Sequence, residues 1–196
     1  MSDRQYHVLF ISQRNSARSI MAEAILNEIG RGEFVAHSAG VRPAEAVDPV
    51  VFDLLDKVKI STRGLRPKHV EEVAREDSPE MDFVFTLSDA AAGETLPAWR
   101  GQPITAHWRS EDPQHVMDET EHRLQLIRVR AELERRLRVF VNLPLESLDR
   151  MSAKRQLDDI GTPSSSAPVD TRQWGPLNDG APRETDAHAA RSPSRC

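Results

Sequence analysis

The segment from Ser12 to Arg18 has residue types that can bind a tetrahedral oxyanion. It follows an apolar run, Val8 to Ile11, and precedes an alanine-rich stretch with helical spacing, so we predict a loop between a strand and a helix. The backbone N–H groups of such a loop and the N-terminus of its helix bind anions, and the Arg18 guanidinium can add a charge-assisted contact. The sequence therefore predicts a binding site for an anion such as phosphate.

The predicted anion contacts come from the whole loop and the first turn of the helix, which comprise Gln13, Arg14, Asn15, Ser16, Ala17, Arg18 and Ser19. Taken alone, the same segment also fits an ordinary capped helix, with Asn15 or Ser16 as the N-cap and Arg18 exposed. Nothing within the segment decides between these two interpretations.

A second candidate, Asp112, follows the last of the predicted strands, whereas Ser12 follows the first. In an open α/β sheet, ligands bind beyond the carboxyl ends of the strands. We therefore expect Asp112 and Ser12 to lie at the same edge of the sheet. His7 stands at the start of the first strand and falls on the opposite edge.

Short apolar runs alternate with amphipathic segments along most of the chain. The predicted strands are residues 8–11, 34–38, 81–87 and 103–108, and the predicted helices are residues 16–29, 49–58, 67–74, 119–141 and 145–160. This alternation predicts an α/β protein, a three-layer sandwich on a small parallel sheet of about four strands.

The composition changes at residue 162, where serine, proline, glycine and charged residues replace the aliphatic periodicity. We predict one α/β domain over residues 1–161 and a disordered tail over residues 162–196. A chain of 196 residues can bury one sizeable core, and nothing in its length requires a second domain.

The formal net charge is −5, and the chain has no long basic run. These features argue against nucleic acid and anionic membranes as main partners. There is no apolar stretch of about 18 residues or more, and the chain does not start with the basic and then apolar order of a signal peptide. We therefore expect a cytoplasmic protein.

The single cysteine is Cys196, the last residue. It excludes an internal disulfide framework and a cysteine-based zinc site. Metal sites have ligands at characteristic spacings, supported by cysteines or paired carboxylates. We find no such spacing among His37, His107, His115 and His122. We predict neither a metal nor a cofactor, and we interpret these histidines as satisfied or solvent-facing side chains.

The loop and several later motifs resemble the low-molecular-weight protein tyrosine phosphatase superfamily, and its arsenate reductase branch in particular. The first motif is residues 8–24. The others are Ser38-Ala39-Gly40, Thr86-Leu87-Ser88-Asp89, Ala91 to Pro97, Pro103 to Trp108, Asp112-Pro113 and Leu143-Pro144-Leu145. The resemblance runs from about residue 8 to residue 161, and several motifs in the right order make it specific for the family.

The resemblance implies a mechanism in which a loop cysteine attacks phosphorus or arsenic while the loop amides and Arg18 hold the oxyanion. Asp112 would be the general acid. The implied ligand is phosphate, arsenate or a phosphotyrosine-like oxyanion. In the arsenate reductase branch, further cysteines, or a small thiol such as glutathione or mycothiol, resolve the arsenic adduct and release arsenite.

This chain departs from the family pattern at each of these cysteines. Ser12 stands at the position of the family's nucleophile, and Ser88 and Leu96 stand where related sequences commonly carry further cysteines. Arg14 occupies a loop position that is glycine in many members, where its side chain either occludes the anion site or adds positive charge to it. The coincidence of these departures favours natural divergence over an engineered change at Ser12 alone.

A serine does not directly replace a cysteine in this chemistry. Loop amides and arginine lower a thiol pKa from about 8.5 into the range of about 3.5 to 7.5, whereas a serine hydroxyl in the same field stays protonated. It would need an adjacent general base, and none with a supporting partner lies near Ser12 in the sequence. A hydroxyl also has no thiol electrons with which to reduce As(V). For binding, however, the neutral hydroxyl removes a negative charge that would face the anion.

These observations leave three hypotheses. The first is a family member that binds a phosphate or arsenate oxyanion in residues 12–18, or serves as a partner-binding module, and is catalytically impaired or inactive. The second is an active arsenate reductase or phosphatase that contributes to arsenic detoxification and uses Ser12 or a borrowed thiol reductant; Cys196 could supply a thiol in cis, although a terminal cysteine is more often idle. In the third, only the fold survives, and the helix over residues 119–141 supports a protein–protein contact.

Overall fold

The four predicted strands form one parallel sheet. The computed structural model describes residues 4–113 and 118–162. Within them, the strands are β1 (Tyr6–Ser12), β2 (Phe34–Gly40), β3 (Phe83–Thr86) and β4 (Ile104–His107), in the order β2-β1-β3-β4. All three neighbouring pairs are parallel. The prediction of an α/β fold on a small parallel sheet is confirmed.

The helices cover the two faces of this sheet unequally. They are α1 (Arg18–Ile29), α2 (Pro49–Lys57), α3 (Asp89–Ala92), α4 (Glu119–Phe140) and α5 (Arg150–Gly161), with a short 3₁₀ turn over Val70–Glu72. The larger apolar core lies on the face covered by α1, α2, α4 and α5, and a smaller one lies on the face covered by α3 and the 3₁₀ turn.

The apolar run in β1 contributes to both cores. Val8 and Phe10 belong to the larger core, whereas Leu9 and Ile11 belong to the smaller one, and all four side chains are fully buried. Successive side chains of a strand point to opposite faces of the sheet. A strand covered on both faces is therefore apolar throughout, which is why this run has no polar alternation.

The predicted helix over residues 67–74 is wrong, because tertiary contacts hold the backbone of this segment in another conformation. The Lys68 N–H donates to Asn15 Oδ1 at 2.7 Å, and the Lys68 carbonyl accepts from the Gly40 N–H at 2.7 Å. His69 then forms an isolated parallel bridge with Gly40, so only the 3₁₀ turn after it is helical.

Two other predicted helices begin later than expected. The first starts at Arg18 and not at residue 16, since the preceding residues belong to the loop. The last starts at Arg150, because the Asp149 carboxylate caps it by accepting from the N–H groups of Met151 and Ser152.

The strand order places a topological switch point beside β1. The chain passes from β1 to β2 on one side and later to β3 on the other, so the crevice between the carboxyl ends of β1 and β3 is where ligands of such sheets bind. Ser12 is the last residue of β1, and Asp112 lies beyond the carboxyl end of β4. Both predicted catalytic positions therefore lie at this edge.

Several sequence-based predictions concern residues outside this structure. Residues 163–196, which make up nearly all of the predicted tail and include Cys196, lie outside the described residues, as does His115. Among the residues that are described, no helix is long and apolar enough to cross a membrane.

Candidate oxyanion site

Asn15 forms the turn of the loop between β1 and α1. Its backbone has a φ of 47°, in the left-handed region that asparagine tolerates better than most residues. The loop packs closely on the end of β2, where a Cβ atom on Gly40 would lie 3.0 Å from the Asn15 Cβ and 3.1 Å from the Asn15 nitrogen. The glycine in the Ser38-Ala39-Gly40 motif therefore makes room for the loop.

The Asn15 side chain ties the loop to its surroundings. Its Nδ2 donates to Ser19 Oγ at 2.9 Å and to Ser38 Oγ at 2.8 Å, while its Oδ1 accepts from the Lys68 N–H at 2.7 Å. The residue is fully buried. The interpretation with Asn15 or Ser16 as a helix cap is wrong, because the N-cap of α1 is Ala17 and no side chain caps this helix.

The carbonyl groups of the loop point away from its centre. Four of them accept hydrogen bonds from backbone N–H groups of the segment over residues 41–48, with the pairs Val41 to Ser12 (3.3 Å), Arg42 to Gln13 (2.9 Å), Ala44 to Arg14 (2.8 Å) and Asp48 to Ser16 (2.9 Å). In a planar trans peptide the N–H points opposite to the C=O. The N–H groups that follow these carbonyls therefore face the inside of the loop, as an anion site requires.

Ser12 lies at the base of the loop and is 2% exposed. Its Oγ accepts from the Asn15 N–H at 3.1 Å and shares a hydrogen bond with Ser19 Oγ at 2.7 Å. Among the described residues, no carboxylate or imidazole is a hydrogen-bond partner of Ser12. The structure thus places no general base on this hydroxyl.

Arg18 and Asp112 form an ion pair at the site. Arg18 Nη2 lies 2.9 Å from Asp112 Oδ2, and Arg18 Nη1 donates to the Ser110 carbonyl at 3.1 Å. Burial lowers the pKa of the Arg18 guanidinium, and pairing with Asp112 opposes this effect. Arginine stays charged in proteins, so Arg18 is a buried cation paired with a carboxylate.

A small hollow brings several of the predicted positions together. It is lined by Ser12, Arg14, Ser16, Ala17, Arg18, Asp112 and Pro113. Asn15 and Ser19 do not line it; they support the loop from behind. Gln13 lines a neighbouring cleft instead. Arg14 is exposed although it lines the hollow.

Glu23 and Lys68 support the site, and the sequence analysis missed them. Glu23 accepts a short hydrogen bond from Ser38 Oγ and pairs with Lys68 Nζ at 3.2 Å. Burial raises the pKa of the Glu23 carboxyl, although Lys68 and Ser38 oppose this effect. The sign of such a buried pair in the sequence was a glutamate within the alanine-rich helix, at a position that faces the core.

A larger cleft of about 780 Å³ adjoins the hollow through Arg18. Its walls carry the cations Arg109 and Arg128 and the anions Asp89, Glu111 and Glu132. The cleft is thus a polar space of mixed charge beside the loop. It has the size of ordinary small-molecule sites and can hold the remainder of a molecule whose anionic group enters the loop.

The two further positions at which related sequences commonly carry cysteines have structural contacts here. Ser88 lines the cleft, and its Oγ caps α3 by accepting from the Ala91 N–H at 3.3 Å. Leu96 packs against the smaller core. Of the aromatic residues near the site, Trp108 is fully buried and its Nε1 donates to the Leu157 carbonyl at 2.8 Å, so it is a core residue.

The described histidines make specific contacts. His37, in the middle of β2, contacts His7, with 3.2 Å between His37 Nε2 and His7 Nδ1. Burial, the His7 ring and Lys68 lower the pKa of His37 to about 4. His107 contacts Thr86 and Asp89, and His122 contacts Pro113 and Asp48. Within residues 4–113 and 118–162, no group of three or more His, Cys, Asp and Glu side chains is arranged to hold a metal ion.

The fold and the site together define a class of protein. A small parallel α/β sheet holds, at its switch point, a strand–loop–helix segment with inward-facing amides and a buried arginine. The class is that of α/β proteins with an anion-type loop at the switch point of a parallel sheet.

Comparisons with known proteins identify the family. The model of the family described as low molecular weight phosphotyrosine protein phosphatase matches residues 7–154. The chain belongs to this family, and the prediction of its arsenate reductase branch is confirmed.

Three relatives show the extent of the similarity. A glutaredoxin arsenate reductase from Synechocystis sp. is 32% identical over 107 residues, which are 54% of this chain and 77% of the relative. The structure of an arsenate reductase in a phosphate-binding state is 28% identical, with a TM-score of 0.56, and covers 70% of this chain and 97% of its own. The structure of an arsenate reductase from Archaeoglobus fulgidus is 31% identical, with a TM-score of 0.54, and covers 69% of this chain and 99% of its own.

Proposed function

We propose that this chain binds a phosphate or arsenate oxyanion in the loop from Ser12 to Arg18 and is catalytically impaired because the loop lacks a thiol. The observation that carries the proposal is the orientation of the loop, whose carbonyls are held outward by residues 41–48. Its amides and the Arg18 guanidinium then converge on one hollow. The phosphate-binding state of one similar arsenate reductase supports this assignment.

The residues have separate roles in this proposal. Arg18 and the amides of the loop bind the anion, while Asn15 and Ser19 keep the loop in shape. Ser12 occupies the position of the nucleophile and Asp112 that of the general acid. Because Ser12 bonds to Ser19 and Asn15 and not to a base, its hydroxyl stays protonated and is a poor nucleophile.

Calorimetric titration with phosphate and with arsenate tests the binding. We expect saturable binding of both anions, and we expect Arg18→Gln to weaken it by about ten-fold or more, since hydrogen bonds to a charged group contribute about 1.5 to 3 kcal/mol. Arg42→Gln is the matched control: this arginine pairs with Glu94 on the surface and does not line the hollow. Absence of binding at millimolar concentrations of either anion would contradict the proposal.

Active catalysis is the second candidate, and the similarity to a glutaredoxin arsenate reductase favours it. In this case two thiols from outside the described residues, which contain no cysteine, supply the two electrons for As(V) and become a disulfide; they come from another molecule, or one of them is Cys196. Assays with p-nitrophenyl phosphate, and with arsenate plus thiols, distinguish the two candidates. If the unmodified protein turns over and Ser12→Ala abolishes turnover, the chain is an enzyme.

A further inference from the structure

His122 bridges two acceptors beside the oxyanion site. It lies in the first turn of α4, where its Nδ1 is 2.7 Å from the Pro113 carbonyl and its Nε2 is 2.7 Å from Asp48 Oδ2. A neutral imidazole carries one N–H, so it can donate to only one of these oxygens. Both contacts together therefore require the protonated ring.

The two acceptors connect directly to the site. Pro113 follows Asp112, the partner of Arg18. Asp48 caps α2 through the Val50 N–H, and its own N–H donates to the Ser16 carbonyl of the loop. The ring of His122 thus ties the segment that carries Asp112 to the segment that holds the loop.

The charges around His122 favour the protonated form. Asp48 is the carboxylate in contact with the ring, and both side chains are largely buried, at 20% and 17% exposed. Burial opposes the charged ring, but the hydrogen bonds to Asp48 and Pro113 outweigh it and raise the pKa of His122 above its usual value.

The other charged groups nearby have their own contacts. On α4, Arg123 pairs with Asp53 of α2. The Asp118 carboxylate accepts from the Glu121 N–H at the start of the helix. The cation of the loop, Arg18, is paired with Asp112, and Asp48 is the charged side chain that raises the pKa of His122.

We propose that His122 is a positioning residue whose protonated ring clasps the Asp112–Pro113 segment and keeps Asp112 on Arg18, so that loss of the proton frees Arg18 for an external oxyanion. The inference rests on the proposed oxyanion binding. The protonated ring donates a hydrogen bond to each oxygen. In the neutral ring, one of the two nitrogens has no hydrogen and presents a lone pair to its oxygen instead. One of the two contacts then becomes repulsive, and the segment loses its tie to Asp48.

The test measures the affinity for sulfate by calorimetry from about pH 5.5 to about pH 8.5, beside the NMR titration of the His122 ring. Sulfate is a suitable probe because its charge does not change over this range, unlike that of phosphate. We expect the affinity to rise by about five-fold toward alkaline pH, with its midpoint at that of the His122 ring, since one net hydrogen bond is worth about 1 kcal/mol. Simple charge attraction gives the opposite sign, because the protein becomes more negative as pH rises.

Three variants separate the clasp from a general effect of pH. Asp48→Asn keeps a good N-cap for α2 but removes the charge beside the ring, so both midpoints must shift together to lower pH. His122→Gln has no titrating ring, so the step in sulfate affinity must vanish. Arg123→Gln removes the neighbouring ion pair between α2 and α4 without touching Pro113, so the step must remain.

The outcomes distinguish this inference from the proposed function. If sulfate affinity falls steadily with pH, or if the step survives in His122→Gln, the clasp is refuted while oxyanion binding stands. If sulfate does not bind at any pH, the proposed function fails, and the NMR titration alone decides the clasp. In that case the Asp112 amide resonance must follow the midpoint of His122 in the unmodified protein and in Asp48→Asn, and independent titration of the two refutes it.

Discussion

The two edges of the sheet both collect polar side chains, but they satisfy them differently. At the amino edge, Asp82 accepts from Arg4 at 2.8 Å and from the His7 N–H at 2.9 Å, and the His7 ring pairs with His37. At the carboxyl edge, backbone amides of the loop face a hollow, and Arg18 points to the same space. The polar groups of the amino edge complete one another and stabilise the fold, whereas at the carboxyl edge Arg18 is paired with Asp112 beside an open hollow, where we propose that an oxyanion binds.

Within the carboxyl edge, the residues that shape the loop and the residues at the family's thiol positions have different roles. Asn15, Arg18 and Ser19 keep the contacts that shape an oxyanion loop. By contrast, Ser88 caps a helix and Leu96 packs against the smaller core. These two residues make structural contacts at positions where related sequences commonly have thiols. The groups of the proposed anion site are therefore present where the thiols are not.

Restoring the thiol is the change with the largest expected effect. In Ser12→Cys, the inward-facing amides and Arg18 stabilise a thiolate that a serine cannot supply. We expect hydrolysis of p-nitrophenyl phosphate to increase by up to about 10⁶-fold, the order of the loss when another hydrolase loses its nucleophile. Steady-state kinetics of both forms measure the gain.

Ser12→Ala is the control for this experiment, because it removes the hydroxyl without adding a thiol. It should stay at the background rate of the unmodified protein. If Ser12→Cys also stays at background while its phosphate affinity is normal, the loop binds anions but no longer has a geometry that supports catalysis.

Removing the Asn15 side chain should destabilise the carboxyl edge. Asn15→Ala loses three hydrogen bonds, leaves the Lys68 N–H without its acceptor and puts alanine at a φ of 47°. We expect the free energy of unfolding to fall by about 3 to 5 kcal/mol, measured by urea denaturation.

Asn15→Gly separates the two causes of that loss. Glycine tolerates the left-handed backbone but also lacks the amide, so it should be less destabilising than alanine by about 1 kcal/mol. A loss smaller than about 1 kcal/mol in both variants would show that the side-chain network does not hold the loop.

The His7–His37 pair should affect stability and not binding. The pKa of His37 is lowered from 6.5 to about 4 in the folded protein, so below pH 6.5 the unfolded chain takes up a proton that the folded chain does not. Stability should therefore fall as pH decreases from 6.5 to about 4, by about 2 kcal/mol after allowance for partial exposure. Urea denaturation at about pH 7 and about pH 5 measures this difference, and His37→Gln should reduce it.

Phosphate affinity provides the contrast between the histidine pair and the loop. At fixed pH, His37→Gln should leave the affinity unchanged, because this side chain contacts His7 and lines neither the hollow nor the cleft beside it. A change of more than about ten-fold would mean that the His7–His37 pair is coupled to the loop.

The smallest expected effect comes from the carboxylate on Arg18. Asp112→Asn removes a negative charge that competes with the oxyanion, so phosphate should bind about three-fold to ten-fold more tightly in calorimetry. Glu111→Gln changes the net charge of the same cleft by the same amount without touching Arg18 and should have a smaller effect. Equal gains from both variants would assign the effect to net charge and not to the ion pair.

The sequence predicted those parts of the fold that follow from local patterns. The apolar run in β1 could be recognised because a strand buried on both faces has no alternation, and Arg18 marked the loop that follows it. The segment at Lys68 is not the helix that its local pattern predicts, because its backbone hydrogen bonds are with Asn15 and Gly40, which are distant in sequence. No local pattern encodes those contacts.

The residues that support the site were harder to predict from the sequence than the residues at its centre. Residues 41–48 bind the loop through backbone N–H groups, which carry no side-chain signature. His122 reaches Asp48 across 74 positions of sequence, and Glu23 reaches Lys68 across 45. Such contacts become visible only when the elements are packed.

The central claim is that the loop holds a tetrahedral oxyanion without a thiol beneath it. A crystal structure of the unmodified protein grown with phosphate tests this claim most directly. The account predicts phosphate inside the loop, bound by the amides that follow the outward carbonyls and by Arg18, with Asp112 displaced from the guanidinium. An empty loop at saturating phosphate, with Asp112 still paired to Arg18, would contradict it.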